Sequence, residues 1–206
     1  MSFGFLLSIR CFIQCFLSYS KIDLNEARGI ISEISNYQKK TTVFISHKHD
    51  DLEDLKGIIG FLEKNYKIKA YIDSQDPSMP KKTSSQTAEI IKGRIKQCDR
   101  FVLLATNGAV ESKWCNWELG FGDAMKYKDY IALFPMKPEG TYDSQYKGHE
   151  YMGIYPYIAF FDGTEIDSNG NLIPKDYYVV FGNEKGSSLS ITPLKEWFEP
   201  NFNSIF

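Results

Sequence analysis

Two periodicities divide the chain. The first forty residues read as two helices. "MSFGFLLSIRCFIQCFLSYS" is almost continuously apolar, and "LNEARGIISEISNYQKK" then sets Leu24, Ala27, Ile30, Ile31 and Ile34 at helical spacing before turning polar and basic. The opening run lacks a basic n-region and a small-residue cleavage site, and Arg10 and Gln14 interrupt it below the roughly 18 to 20 residues of a membrane span. A packed helix is the expectation, with a membrane-associating helix and a signal peptide as the other readings.

From Thr41 short apolar runs alternate with amphipathic ones. "TTVFIS" (41–46) and "IKAYI" (68–72) predict strands, and "DDLEDLKGIIGFLEKN" between them carries Leu52, Leu55, Ile58, Ile59 and Leu62 on one helical stripe. The loop "DSQDPSMPKK" contains Pro77 and Pro80, so it is no strand interior. "TSSQ" offers a capping box, Thr83 with Gln86, opening a helix that runs to about Gln97. "RFVLLAT" (100–106) is continuously apolar, as a central strand covered on both faces must be. A helix over about 112–127, with Ser112 as N-cap candidate, and the strand "YIALFPM" complete the pattern. Four strands alternating with helices predict a doubly wound parallel α/β sheet. Beyond Lys137, "YPYIAFF" and "YYVVFG" flank a Gly/Asn/Asp-rich connector, which predicts a C-terminal hairpin. "TPLKEWF" predicts a short last helix with Pro193 in its first turn, and the stretch 138–149 carries no assignable pattern.

Composition narrows the function. At 206 residues, 43% apolar, the chain can bury a substantial core. Its 24 Lys+Arg against 26 Asp+Glu leave none of the basic footprint of a nucleic-acid binder. The four cysteines (Cys11, Cys15, Cys98, Cys115) form neither zinc-site pairs nor a disulfide scaffold, so a reducing cytoplasmic setting is expected.

In an open parallel sheet ligands bind beyond the carboxyl ends of the strands. Those ends here release Ser46, His47, Lys48 and His49, then Asp73 and Ser74, then Thr106 and Asn107. The helix after the third strand, in "ESKWCNWELGFG", carries Glu118 one turn past Trp114, so a carboxylate and an aromatic ring share a face. No GxGxxG or GxxxxGK[ST] follows the first strand, which removes the Rossmann dehydrogenase and P-loop readings. His47 and His49 suggest a metal only weakly, because histidines at loop spacing are ordinarily solvated. Cys115, next to Trp114, is expected to face the core and not to act as a nucleophile. A helical Glu is ordinarily solvated too, and Trp114 and Trp117 serve equally well as core residues; spacing alone leaves Glu118 open.

In order and spacing, "TVFISHKHDD", "AYIDSQDPSMPKKTSSQTAEIIKGRIKQCDRFVLLAT" and "ESKWCNWELGFG" resemble the three motif blocks of a Toll/interleukin-1 receptor (TIR) domain, over about residues 41–136. The third is similar to the S-x-W-C-x-x-E-L segment of TIR domains that cleave NAD. The resemblance implies a flavodoxin-like sheet and reaction at the nicotinamide glycosidic bond, with NAD as substrate and no cofactor. It implies Glu118 as the catalytic carboxylate, Trp114 as an aromatic wall, Ser46 at the rim, Ser112 and Cys115 as supports, and Asp73 to Lys82 as the BB loop; His47, Asp73 and Lys82 are candidate substrate contacts beside it, with a turn residue the competing account of Asp73 and a solvated loop tip that of Lys82. His47 stands where many members carry another residue. The N-terminal extension (1–40) and the divergent part (137–206) of the domain spanning 41–206 lie outside the common core.

The chemistry agrees with a single carboxylate. Ordinary glycosidases use two, one of them to protonate an alkoxide leaving group. Nicotinamide leaves a cationic N-glycoside as a neutral pyridine, so only an oxocarbenium-like centre remains to be stabilised. The chain is similar to the TIR component of the Thoeris antiphage system, which implies a cyclic or conjugated ADP-ribose signal read by a separate effector, with self-association through the BB loop. A non-catalytic TIR adaptor and a nucleoside deoxyribosyltransferase-like enzyme are the competing readings.

Overall fold

The protein is described by a computed structural model covering residues 40–80, 82, 84–126, 128–136, 151, 153–182 and 189–202. The chain divides into two units, Met1–Lys39 and Lys40–Phe206, and only the second is described. The two helices expected in the first forty residues and the stretch 138–149 therefore fall outside the described residues.

Strand β1 (Thr42–Ser46) is followed by helix α1 (Leu52–Tyr66), which ends where Lys67 turns left-handed at φ 54°. Then come β2 (Lys69–Tyr71), α2 (Ser85–Gln97), β3 (Arg100–Ala105), a short α3 (Asn107–Glu111), α4 (Lys113–Lys126), β4 (Ile131–Pro135) and β5 (Tyr157–Phe161). Two further strands, β6 (Asp176–Gly182) and β7 (Leu189–Pro193), and the helix α5 (Leu194–Trp197) close the domain. All seven strands form one sheet in the order β2-β1-β3-β4-β5-β6-β7. The pairings among β1 to β5 are parallel, and β6 and β7 add antiparallel. The first five positions follow the flavodoxin-like order, 2-1-3-4-5.

Both faces of the sheet are covered, which is why its central strands read as unbroken apolar runs. Val43, Ile45, Val102, Leu104 and Ala132 pack with Leu55, Ile59 and Leu62 of α1 and with Leu194 and Trp197 of α5. The alternate residues Phe44, Phe101, Leu103, Ile131 and Leu133 pack with Ile91 and Ile95 of α2 and Cys115 and Leu119 of α4. The strand order demands this division. The chain moves one way from β1 to β2 and back past β1 to β3, so right-handed crossovers place α1 and α2 on opposite faces.

Two expectations are corrected, the cap of α2 and the place of Pro193, and two are extended. The cap of α2 is Ser84 with Thr87, whose hydroxyl accepts from the Ser84 N–H at 3.1 Å, and not Thr83 with Gln86. Thr87, Ile91 and Ile95 form the buried i, i+4 stripe, so packing selects the register. The helix expected over 112–127 is preceded by a separate turn of helix, α3. The C-terminal hairpin is present as the antiparallel pair β5–β6, and β5 also pairs with β4, so it carries β6 and β7 into the central sheet. Pro193 ends β7 and precedes α5, so it lies just before the first turn.

Candidate active site

The crevice in such a sheet opens where the strand order reverses, between β1 and β3. Two contacts tie these strand ends together. Thr106 Oγ1 donates to Asp51 at 2.5 Å, and Gly108 lies so close to Lys48 that a Cβ there would sit 2.8 Å from its side chain.

Glu118 reaches this edge from α4. The helix begins at Ser112, whose hydroxyl accepts from the Cys115 N–H at 3.3 Å, the N-cap expected from the sequence. Its buried positions are Cys115, Glu118, Leu119, Gly122 and Lys126, the sheet-facing stripe, and Glu118 is 2% exposed. Gly122 permits the approach, because a Cβ there would lie 3.1 Å from the Phe101 ring; Gly120 meets nothing. Ser46, last in β1, shares Phe44's parity and therefore faces α4. Its hydroxyl donates to Glu118 Oε2 at 2.6 Å.

Burial raises the Glu118 carboxyl to about 8, the hydrogen bond from Ser46 and the nearby Trp114 indole oppose the rise, and the Asp73 charge adds to it. Trp114 also packs on Trp117 with ring centroids 4.9 Å apart, and Trp117 on Phe121 at 6.2 Å, so an aromatic row flanks the acid. Cys115 is 1% exposed and burial raises its thiol, which makes it a packed support and a poor nucleophile.

His47 departs from the solvated state expected of it. It is 7% exposed, whereas His49 is exposed. Its Nδ1 lies 3.3 Å from the Ile45 carbonyl oxygen and its Nε2 4.0 Å from Asp73 Oδ1. Asp73 opens the BB loop and accepts from the Ser74 N–H at 2.7 Å, so it is a turn residue that also faces the site. Lys82 is exposed and is not among the groups acting on Glu118.

Sequence reasoning missed the device that shapes the loop. Asp76 accepts from Tyr71 Oη at 2.6 Å, from the Ser78 N–H and hydroxyl at 2.8 and 2.6 Å, and from Arg94 Nε at 3.0 Å. These bonds, the Ser78 hydroxyl foremost, hold its carboxyl well below the usual range. Its only signal was an Asp before Pro77, which reads as an ordinary turn. Among the described residues no three His, Cys, Asp or Glu side chains converge as metal ligands. A cleft of about 290 Å³ lined by Asp99, Arg100, Met125, Lys126 and Tyr130 lies at the amino-terminal end of β3, away from this chemistry.

The family model for TIR domains matches residues 43–172. The chain belongs to the TIR domain family. The match extends past the core motifs into the connector before β6. This TIR protein is 31% identical over 176 residues, 81% of its own length and 88% of the other's, to the "Probable 3' cyclic ADP-D-ribose synthase ThsB'" of Bacillus cereus (strain MSX-D12). Among solved structures it is similar to the TIR domain of the Toll-related receptor TRR-2 from Hydra magnipapillata, at 19% identity and TM-score 0.38 over 50% of this chain and 75% of that one. A prokaryotic SEFIR domain matches at 15% identity and TM-score 0.36, over 50% of this chain and 73% of that one.

Proposed function

We propose that this TIR protein is an enzyme that cleaves the nicotinamide–ribose bond of NAD and converts the ADP-ribosyl part into a cyclic ADP-ribose-type signal for antiphage defence. The observation that carries the reading is Glu118, a carboxylate 2% exposed, bonded to Ser46 at the β1/β3 strand ends and flanked by Trp114. A relative named as a probable 3′ cyclic ADP-D-ribose synthase, alignable along 81% of the chain, supports the same reaction class.

The geometry suits a cation. A carboxylate withdrawn from water interacts strongly with positive charge, because little solvent screens it. Bound NAD brings the nicotinamide cation to the site, and that charge favours the ionised Glu118. As the C–N bond breaks, the electron pair leaves with the pyridine nitrogen and positive charge moves to the ribosyl centre, where the carboxylate stabilises it. Trp114 supplies an apolar wall, and Ser46 orients the acid. The proposal includes self-association through the BB loop, a separate effector that reads the nucleotide, and a cytoplasmic location, where thiols such as Cys98 and Cys115 stay reduced. Among the described residues no helix is long and apolar enough to cross a membrane.

The test is NAD turnover followed by chromatography of nicotinamide and nucleotide products, over a protein concentration series because assembly shifts with concentration. Glu118→Gln is expected to lower kcat about 10²- to 10³-fold, as removal of one preorganised electrostatic group does. A wild-type protein that releases no nicotinamide at any concentration, nor in cells under phage infection, removes the enzyme reading. An equally active Glu118→Gln removes the site assignment.

A further inference from the structure

We infer that His47 is the general base that takes the proton from the hydroxyl group capturing the ribosyl centre, and that Asp73 steadies the imidazolium that results. The inference rests on the proposed NAD-cleaving reaction and assigns a step that Glu118 leaves undone.

Loss of nicotinamide needs no proton transfer, but capture by an oxygen does. When a ribose hydroxyl, or water, bonds to the anomeric carbon, the C–O bond forms from the oxygen lone pair. The O–H bond must then release its proton to some acceptor. NAD becomes cyclic product, neutral nicotinamide and one proton. Glu118 is engaged while the bond forms, because its negative charge is what stabilises the ribosyl centre and its Oε2 already accepts from Ser46 at 2.6 Å. The Cys115 thiol is buried and raised, hence protonated, and His49 is exposed. His47 remains.

Its ring offers a nitrogen without a hydrogen-bond partner at this edge of the sheet. The His47 side chain is 1% exposed, and Nδ1 lies 3.3 Å from the Ile45 carbonyl oxygen. A carbonyl only accepts, so this contact puts the proton on Nδ1 and leaves Nε2 as a bare lone pair. Nε2 is buried without a hydrogen-bond partner, an arrangement that ordinary packing avoids. Asp73 Oδ1 stands 4.0 Å from it, too far for a hydrogen bond but near enough to stabilise a charge. Once Nε2 accepts a proton, each ring N–H faces an acceptor, Ile45 O on one side and Asp73 on the other. The Asp73 charge acts on Glu118 as well, and His47 directly follows Ser46, the residue bonded to Glu118. The charged group that faces the ring is Asp73 from the loop after β2, and the same Asp73 charge acts on Glu118 and Cys115 of α4.

Two reactions of the same enzyme separate this role from a structural one. Oxygen capture yields cyclic product or ADP-ribose. Exchange with 3-acetylpyridine passes through the same cleavage, but a pyridine nitrogen attacks and no proton is released. His47→Gln is expected to lower the ratio of capture to exchange by about 10²- to 10⁴-fold, the usual worth of a general base, and Asp73→Asn to lower it in the same direction by less. In the wild type that ratio should fall on acidification and in His47→Gln stay flat. This measurement stands even if the His47 variant folds poorly. The inference is overturned if His47→Gln depresses capture and exchange equally, or if the wild-type ratio does not change with pH. Loss of exchange in Glu118→Gln keeps the cleavage reading standing whichever way His47 falls, whereas a wild type with neither exchange nor nicotinamide release fails that reading itself.

Discussion

An acid enclosed between a helix and a strand end resists ionisation, and Glu118 shows what that does to stability. Its carboxyl is raised to about 8 in the fold, from 4.5 in an unfolded chain, chiefly by burial. Between these values the folded state holds a proton that the unfolded state has lost, so the stability tied to Glu118 is complete below about 4.5 and is lost as pH rises towards 8. Glu118→Gln cannot ionise. Its melting temperature relative to wild type is therefore expected to rise between pH 5 and pH 9, with one pKa unit worth about 1.4 kcal/mol, in paired thermal melts. A difference that stays flat with pH would show that the carboxyl ionises normally. The i, i+4 pair of Trp114 and Glu118 was legible in the sequence, and so was the cap at Ser112. The burial of Glu118 was not, because spacing puts it on one helix face with Cys115 and Leu119, and only packing shows that this is the face that meets the sheet. His47 was named as a site residue, but its burial escaped for a related reason, since a histidine leaving a strand reads as solvated until its neighbours are placed.

At the scale of elements, the BB loop is held from inside by Asp76. The loop between Ile72 and Ser85 carries Asp73 towards the site, and Asp76 binds it to β2 through Tyr71 and to α2 through Arg94. Arg94 also lies over the Tyr71 ring, 5.3 Å from its centroid. Because its folded pKa is lowered, the contribution of Asp76 is present above the usual carboxylate range and lost only in strong acid. Asp76→Ala is expected to cost roughly 1–2 kcal/mol at neutral pH, to speed amide exchange at Ser78, and to lower NAD turnover because Asp73 loses its placement. Normal exchange at Ser78 would refute the hub. Composition marked this segment only as a loop, through Pro77 and Pro80; its internal bonds join residues up to 18 positions apart, beyond the reach of a local pattern.

Across the molecule, one buried cation binds the end of the chain to the middle of the sheet. Arg100, 3% exposed at the start of β3, donates to the carbonyl oxygens of Trp197 at 2.9 Å and Glu199 at 3.0 Å, and lies over the rings of Tyr130, Trp197 and Phe202. Thr41 adds a bond to the Phe198 carbonyl oxygen at 2.5 Å. These contacts place α5 on the α1 side, where Trp197 fills the core. Arg100→Met would strand the carbonyl groups, and we expect a loss of about 2–3 kcal/mol, with a melting temperature lower by about 2–4 °C for each kcal/mol and faster amide exchange over 194–202. Unchanged exchange there would show that apolar packing alone holds the terminus.

The sequence by itself determined the alternation of strands and helices, the two-faced burial of the central strands, and the chemistry-bearing residues at the strand ends. These are local matters of period, cap and side-chain type. Only the tertiary structure decided that β5, β6 and β7 extend the central sheet, that Ser46 closes on Glu118, and that His47 and Asp73 face one another. Those pairings join residues far apart along the chain, and strand order and crossover handedness, which no local pattern encodes, bring them together.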